Sequence, residues 1–161
     1  FLEIMSSLFE VVVLTASTEI YAGHVMNMLD PNNTLIHHRL FRQHCVPLCG
    51  TFVKDLRLLG RPMNSICLVD NSPVCLAVNP NNAILCSSYF GSQNDQELID
   101  LMPILQQIRM VSSRTDDTIP RYLNERYGFA GFLNSQRNAY FELVELQRAA
   151  QAQMERDAQD V

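Results

Sequence analysis

Apolar residues along this chain follow two alternating rhythms. Short unbroken runs read as strands, and runs spaced three and four apart read as helices. Leu2, Met5 and Phe9 share one face of an opening helix. Val11-Val12-Val13-Leu14 is unbroken and β-branched, as buried parallel strands are. A helix is predicted over 18–29, with Ile20, Val25, Met28 and Leu29 apolar, and Asp30-Pro31-Asn32-Asn33 ends it. Residues 35–41 read as extended, and 45–52, holding Pro47 and Gly50, as a hairpin or irregular β segment. Leu56-Arg57-Leu58-Leu59 reads as a helical turn closed by Gly60. Ile66-Cys67-Leu68-Val69 is uniformly apolar, which predicts a strand buried on both faces. Residues 74–78 are short and apolar, Asn79-Pro80-Asn81-Asn82 is a turn, and Ala83-Ile84-Leu85-Cys86 is another strand. A helix over 95–109 lines up Leu98, Leu101, Met102, Leu105 and Ile108, with Pro103 inside predicting a kink or a fresh start. A shorter helix over 118–127 stops at Gly128. A last helix over 135–157 is amphipathic through Tyr140, Phe141, Leu143 and Val144, then mostly Ala, Gln and charge, so its far half is solvated or laid on a partner. Strands alternating with helices predict an α/β class with a parallel sheet.

Two strand ends carry chemistry. In open α/β sheets the ligand crevice lies beyond the carboxyl ends of the strands. Thr15-Ala16-Ser17 follows the first strand, and its hydroxyls suit either a phosphate oxygen or the cap of the next helix. Asp70-Asn71-Ser72-Pro73 follows the strand at 66–69. Its oxygens suit a hard cation such as Mg²⁺, and the same residues suit an ordinary turn. His44, Cys45 and Cys49, with His37 and His38 nearby, form a donor-rich patch, but zinc wants a second paired set that the chain lacks. Cys67, Cys75 and Cys86 read as small core residues. Tyr127, Phe129 and Phe132 read as a satellite core or a docking knob.

Composition narrows the classes. Apolar residues are 47% and charged residues 18% of 161, which excludes a disordered chain. The net charge of −5 gives no footprint for nucleic acid. No apolar run reaches the roughly 18 residues of a membrane span. Five cysteines, an odd number without a secretory signal, read as reduced thiols in an intracellular compartment. The chain opens on Phe1 rather than methionine, which predicts a removed leader or residues upstream.

Four segments then fall into register: Val13-Leu14-Thr15-Ala16-Ser17, Leu40-Phe41-Arg42-Gln43-His44-Cys45, Phe52-Val53-Lys54-Asp55-Leu56-Arg57-Leu58-Leu59-Gly60-Arg61 and Leu68-Val69-Asp70-Asn71-Ser72-Pro73. Their order and spacing resemble the phosphatases that act on the C-terminal domain of RNA polymerase II, the small ones above all, within the haloacid dehalogenase superfamily. The likeness runs from Phe1 to about Ile108. It implies a Rossmannoid parallel sheet with flanking helices, an aspartyl-phosphate intermediate and a Mg²⁺ cofactor. On that resemblance Thr15 bonds a phosphate oxygen and Lys54 neutralises the phosphoryl and aspartate charges. Arg42 contacts the phosphopeptide, Asn71 ligates Mg²⁺, and Asp70 ligates it or orients its water. Phosphoryl transfer needs positioning and positive charge above all, which fits those residue types.

The family's first motif, Asp-x-Asp-x-Thr or a close variant, carries the nucleophile and the general acid. No Asp-x-Asp occurs in this chain, and Asp116-Asp117-Thr118 has the wrong spacing. The resemblance therefore implies that the central strand of the sheet, between those at 11–14 and 66–69, is missing here. Each unsatisfied buried backbone group costs about 1–3 kcal/mol, against a typical domain stability of about 5–15 kcal/mol. A strand from upstream residues or from another chain is expected to fill the gap. Two functions stand: a Mg²⁺-dependent protein serine/threonine phosphatase with its nucleophile outside this chain, or a catalytically inactive scaffold. A related scaffold is the presequence-receptor subunit of the mitochondrial inner-membrane translocase. The expected organisation is a phosphatase-like α/β domain over 1–110 and a helical C-terminal extension over 111–161, through which the chain joins a larger complex. The expected setting is intracellular, in nucleus, cytoplasm or mitochondrion.

Overall fold

The computed structural model describes residues 1–48, 50–76, 78–111 and 118–128, with isolated positions beyond them. Its first unit is helix α1 (Leu2–Leu8), strand β1 (Val12–Leu14), helix α2 (Glu19–Leu29) and strand β2 (His38–Leu40). β1 and β2 run parallel, with Val12 opposite His38 and Leu14 opposite Leu40. A hairpin follows: β3 (Val46–Leu48) pairs antiparallel with β4 (Thr51–Val53). Two short 3₁₀ turns lead to β5 (Leu68–Asp70), helix α3 (Pro73–Leu76) and β6 (Ala83–Leu85), and β5 and β6 again run parallel. Helices α4 (Glu97–Val111) and α5 (Ile119–Tyr127) complete the described elements.

The larger core gathers Met5, Ile84, Leu101, Leu105, Ile108, Ile119 and Leu123. α1, β6, α4 and α5 are thus pinned together, and the helix beyond residue 111 shares the main core. Tyr122 and Tyr127 of α5 meet edge to face, 6.1 Å between centroids. A second cluster joins Ala22, Met26, Ile36 and Phe41, with Leu2 and Val13 packed against it. Since Val13 faces α2, strand alternation turns Val12 and Leu14 to the other side.

The edge of each pair away from its partner strand is unpaired among the described residues. Within the first pair, hydrogen bonds link the carbonyl of Val11 to His38 and the amide of Thr15 to the carbonyl of Leu40. The alternate groups, on Val12 and Leu14, point to the opposite edge. In the second pair Cys86 donates to the carbonyl of Asp70, so the groups of Cys67 and Val69 point away from β6. Each sheet contains only two strands among the described residues. Between the pairs lies a cleft of about 710 Å³, lined by Val12, Leu14 and Leu40 on one side and Ile66, Cys67 and Leu68 on the other. Leu56, Leu58 and Leu59 also line it.

Several expectations are revised. The strand read at 66–69 is shifted to Leu68–Asp70, and Leu68 and Val69 are half-buried rather than covered on both faces, because one edge borders the cleft. The short apolar stretch after Asn71 begins as a helical turn, Pro73–Leu76. α4 runs through Pro103 without a fresh start. The carbonyl that Pro103 leaves unbonded belongs to Ile99, on an exposed turn. Leu98 is 45% exposed, since it precedes the turn where α4 reaches the core. In α2 the inward face is Ala22 and Met26, whereas Ile20, Met28 and Leu29 lie outside. Thr18 occupies the cap position of α2 without a side-chain capping bond. The last helix, with Phe129 and Phe132, lies outside the described residues apart from isolated helical positions.

Candidate active site

The carboxyl ends of β1, β4 and β5 are linked by side-chain contacts. β4 ends at Val53, so Lys54 emerges at its tip, and the amide of Asn79, a buried side chain, donates to the Lys54 carbonyl at 3.2 Å. The Lys54 ammonium is held by the Asp70 carboxylate, which stands at the tip of β5. Both side chains are nearly enclosed, 12% and 5% exposed. The other Asp70 oxygen accepts from the Ser72 amide at 2.7 Å, which fixes the turn after β5. Both oxygens of this carboxylate are therefore engaged.

Thr15 joins the group through Cys45. The β3–β4 register sets Val46 opposite Val53, so Cys45 lies beside Lys54. The Cys45 thiol in turn donates to the Thr15 carbonyl at 3.6 Å. Burial pushes the Cys45 thiol up; Lys54 opposes this, and Cys75 and Asp70 add to it. The Thr15 hydroxyl oxygen accepts from the Ser17 amide at 3.1 Å, so its own hydrogen remains to be donated elsewhere.

Arg42 binds the same turn from outside. Its backbone amide donates to Ser17 and its Nε to the Ala16 carbonyl, at 3.0 and 2.6 Å. Its guanidinium lies 5.2 Å from the centroid of the Phe52 ring, a cation–π contact. Asn71 is exposed, and its amide nitrogen donates to the Ser88 hydroxyl at 2.9 Å. Lys54 and Asp70 are thus in contact, Thr15 is one side chain away, and Arg42 and Asn71 stand at the rim. Cys45 read as a metal-donor candidate and Asn79 as a turn former, and Ser88 was not singled out; the bonds they make here go to partners distant in sequence.

The profile of the family described as "NLI interacting factor-like phosphatase" matches residues 1–117. The chain belongs to this phosphatase family. CTD small phosphatase-like protein 2 of Dictyostelium discoideum is 42% identical over 111 residues, which cover 69% of this chain and 19% of that protein. Phosphatase PSR1 of Saccharomyces cerevisiae is 42% identical over 113 residues, 70% of this chain and 26% of that protein. CTD nuclear envelope phosphatase 1 of Xenopus tropicalis is 38% identical over 112 residues, 70% of this chain and 46% of that protein. The chain spans less than half the length of each of these relatives. Its fold is α/β and haloacid dehalogenase-like, as the family's is.

The residues present do not by themselves fit a magnesium ion. Mg²⁺ wants near-octahedral oxygen, with one or two carboxylates and retained water. Here the single carboxylate, Asp70, is neutralised by Lys54. Among the described residues no three acids, histidines or cysteines converge. The histidines of the donor-rich patch are drawn apart: His37 Nδ1 accepts from Val11, His44 Nδ1 accepts from Phe41, and His38 meets Glu10. Cys49 lies outside the described residues.

Proposed function

We propose that this chain is the larger part of a magnesium-dependent protein serine/threonine phosphatase domain, completed by a strand that enters the cleft between β1 and β5. That strand, from upstream residues or from another chain, carries the aspartate nucleophile. The observation that supports the reading is the enclosed Lys54–Asp70 pair, with Thr15 reached from it through Cys45. In this reading a carboxylate oxygen of the incoming strand attacks phosphorus and the serine or threonine oxygen leaves, forming the aspartyl-phosphate. Water then breaks the acyl phosphate. Lys54 offsets the charge gathered on phosphoryl and carboxylate, and the Thr15 hydroxyl donates to a phosphoryl oxygen. Arg42 sits where a phosphopeptide passes the turn after β1, and Asp70 and Asn71 are the oxygen donors the chain brings to the metal.

Free thiols at Cys45, Cys67, Cys75 and Cys86 support a reducing, intracellular setting, nuclear or cytoplasmic. Among the described residues no helix is long and apolar enough to cross a membrane. Turnover of a phosphoserine peptide by the full-length gene product tests the reading. Lys54→Ala and Asn71→Ala are each expected to lower kcat by about 100-fold or more. A full-length product without turnover leaves the inactive scaffold, a subunit of a larger assembly such as a mitochondrial one, as the reading that stands.

A further inference from the structure

We infer that Asn79 is a positioning residue for Lys54: its side-chain amide brackets the backbone where the lysine is rooted, and so sets where the ammonium is delivered. The inference rests on the phosphatase reading above and adds a residue to it.

A lysine side chain has several free torsions, and ordering them costs conformational entropy. Its ammonium is placed accurately only when the backbone root is fixed as well as the tip. At the tip stands Asp70. The root is not fixed by strand pairing, because β4 ends at Val53 and Lys54 lies one residue beyond the last pair with β3.

The turn after α3 supplies what the strand does not. Carbonyls two residues apart on a strand point to the same side. Those of Phe52 and Lys54 both meet donors from α3 and the turn after it. The Cys75 thiol donates to the Phe52 carbonyl at 3.5 Å, and the Asn79 amide to the Lys54 carbonyl at 3.2 Å. The Asn79 side chain also bonds the Asp55 carboxylate. A carboxylate only accepts, so the same nitrogen gives its second hydrogen there. One amide nitrogen thus holds the carbonyl of Lys54 and the side chain of the next residue. Arg57 fixes Asp55 from the far side, through its backbone amide at 3.0 Å and its guanidinium at 2.8 and 2.7 Å. Arg57 above all holds the Asp55 carboxyl below its usual range; burial opposes this, and the Asn79 bond adds to the lowering.

Asn79 is itself well seated. Its side chain is buried, its backbone amide donates to the Leu76 carbonyl at 3.1 Å, and its carbonyl accepts the Asn82 amide at 3.0 Å. Leu76 is fully enclosed, and α5 packs on the turn at Pro80–Asn82. The reference frame for the lysine is therefore the turn between α3 and β6.

Lys54 is the sole lysine of the 161 residues, so amine labelling reads it without ambiguity. The test uses the full-length gene product, acetic anhydride as the probe, and mass spectrometry of the arginine-bounded peptide 43–57. Each rate is scaled by that of the same protein in urea. Wild type is expected to label slowly at Lys54. Asn79→Ala and Asn79→Asp, the second of equal shape without the donor, each raise that rate about tenfold with circular dichroism unchanged. Met26→Ala, which weakens the separate cluster under α2, leaves it at the wild-type rate. General loss of stability would raise all three alike. In an active product Asn79→Ala also lowers kcat on a phosphoserine peptide about tenfold, with KM unchanged. Wild-type labelling in both Asn79 variants overturns the inference, as does an equal rise in Met26→Ala. Should both Asn79 variants fail to fold, magnetic resonance of the wild type decides: slow exchange of both Asn79 side-chain amide hydrogens upholds the bracket, and fast exchange overturns it. Labelling needs no turnover. An inactive product that shows the contrast keeps the bracket and ends the phosphatase reading, and an active product without it does the reverse.

Discussion

In the unit β1–α2–β2 the buried acid is Asp30, at the far end of the crossover helix. In the unit β5–α3–β6 it is Asp70, at the tip of the first strand. Asp30 accepts three backbone amides, from Thr34, Leu35 and Ile36 at 2.9, 3.1 and 2.9 Å, and Arg39 stands 3.6 Å away. Burial raises its carboxyl, but the Ile36, Thr34 and Leu35 amides outweigh that, and it is held below its usual value. Asp70 accepts one amide and one ammonium. Backbone donors cannot leave without unfolding the turn, whereas a lysine side chain can be claimed by another carboxylate. The first acid is a fixture of the fold, and the second pairs with a side chain from the tip of another strand.

Removing the fixture has the largest expected effect. Asp30→Ala strips the acceptor from three amides and a guanidinium together, and the turn between α2 and β2 opens. Native-state hydrogen exchange is expected to show β1 and β2 losing protection while β5 and β6 keep theirs. Equal loss in both pairs would mean that the two units open as one, and the contrast would fail.

Next in size is a tie inside the second unit. The amide of Asn82, 4% exposed, donates to the carbonyls of Met63 and Ile66 at 2.6 and 2.7 Å and so sets the approach to β5. Asn82→Ala removes the donor from two part-buried carbonyls and is expected to cost about 2 kcal/mol in urea unfolding.

The smallest effect concerns an exposed cluster beside the cleft. Arg61 donates Nε and Nη2 to Glu10, at 2.7 and 2.6 Å, and His38 adds a contact at 3.0 Å. Arg61 above all, and then His38, hold the Glu10 carboxyl at about 2, against an ordinary 4.5. A depressed carboxyl contributes stability that is complete above its ordinary value and lost as pH falls through the folded value. Acid unfolding is therefore expected to steepen between about 4.5 and 2, less so in Glu10→Gln, and added salt should shrink the difference. A profile unchanged by the substitution would show that the pair is only a surface contact.

Much of the element order was legible because it is written locally. The apolar run at Val11–Leu14 and the turns closed by Gly60 and Gly128 need only their neighbours. Both glycines adopt a left-handed backbone, φ 65° and 63°, where a side chain is strained. The inward face of α2 was less legible, because apolar residues surround it and only packing against Phe41 and Ile36 selects Ala22 and Met26. The asparagines at 79 and 82 read as turn formers, yet each ties a distant carbonyl. Their partners are 25 and 16 to 19 residues away, beyond any pattern of period two or three.

By itself the sequence determined the alternation of strands and helices, the family likeness, and the residue types at the strand tips, since these depend on neighbours and spacing. Tertiary structure alone decided that Lys54 and Asp70 meet and that Cys45 lies between them and Thr15. Contact between residues 16 positions apart is a property of how elements lie in space, and no local rhythm encodes it.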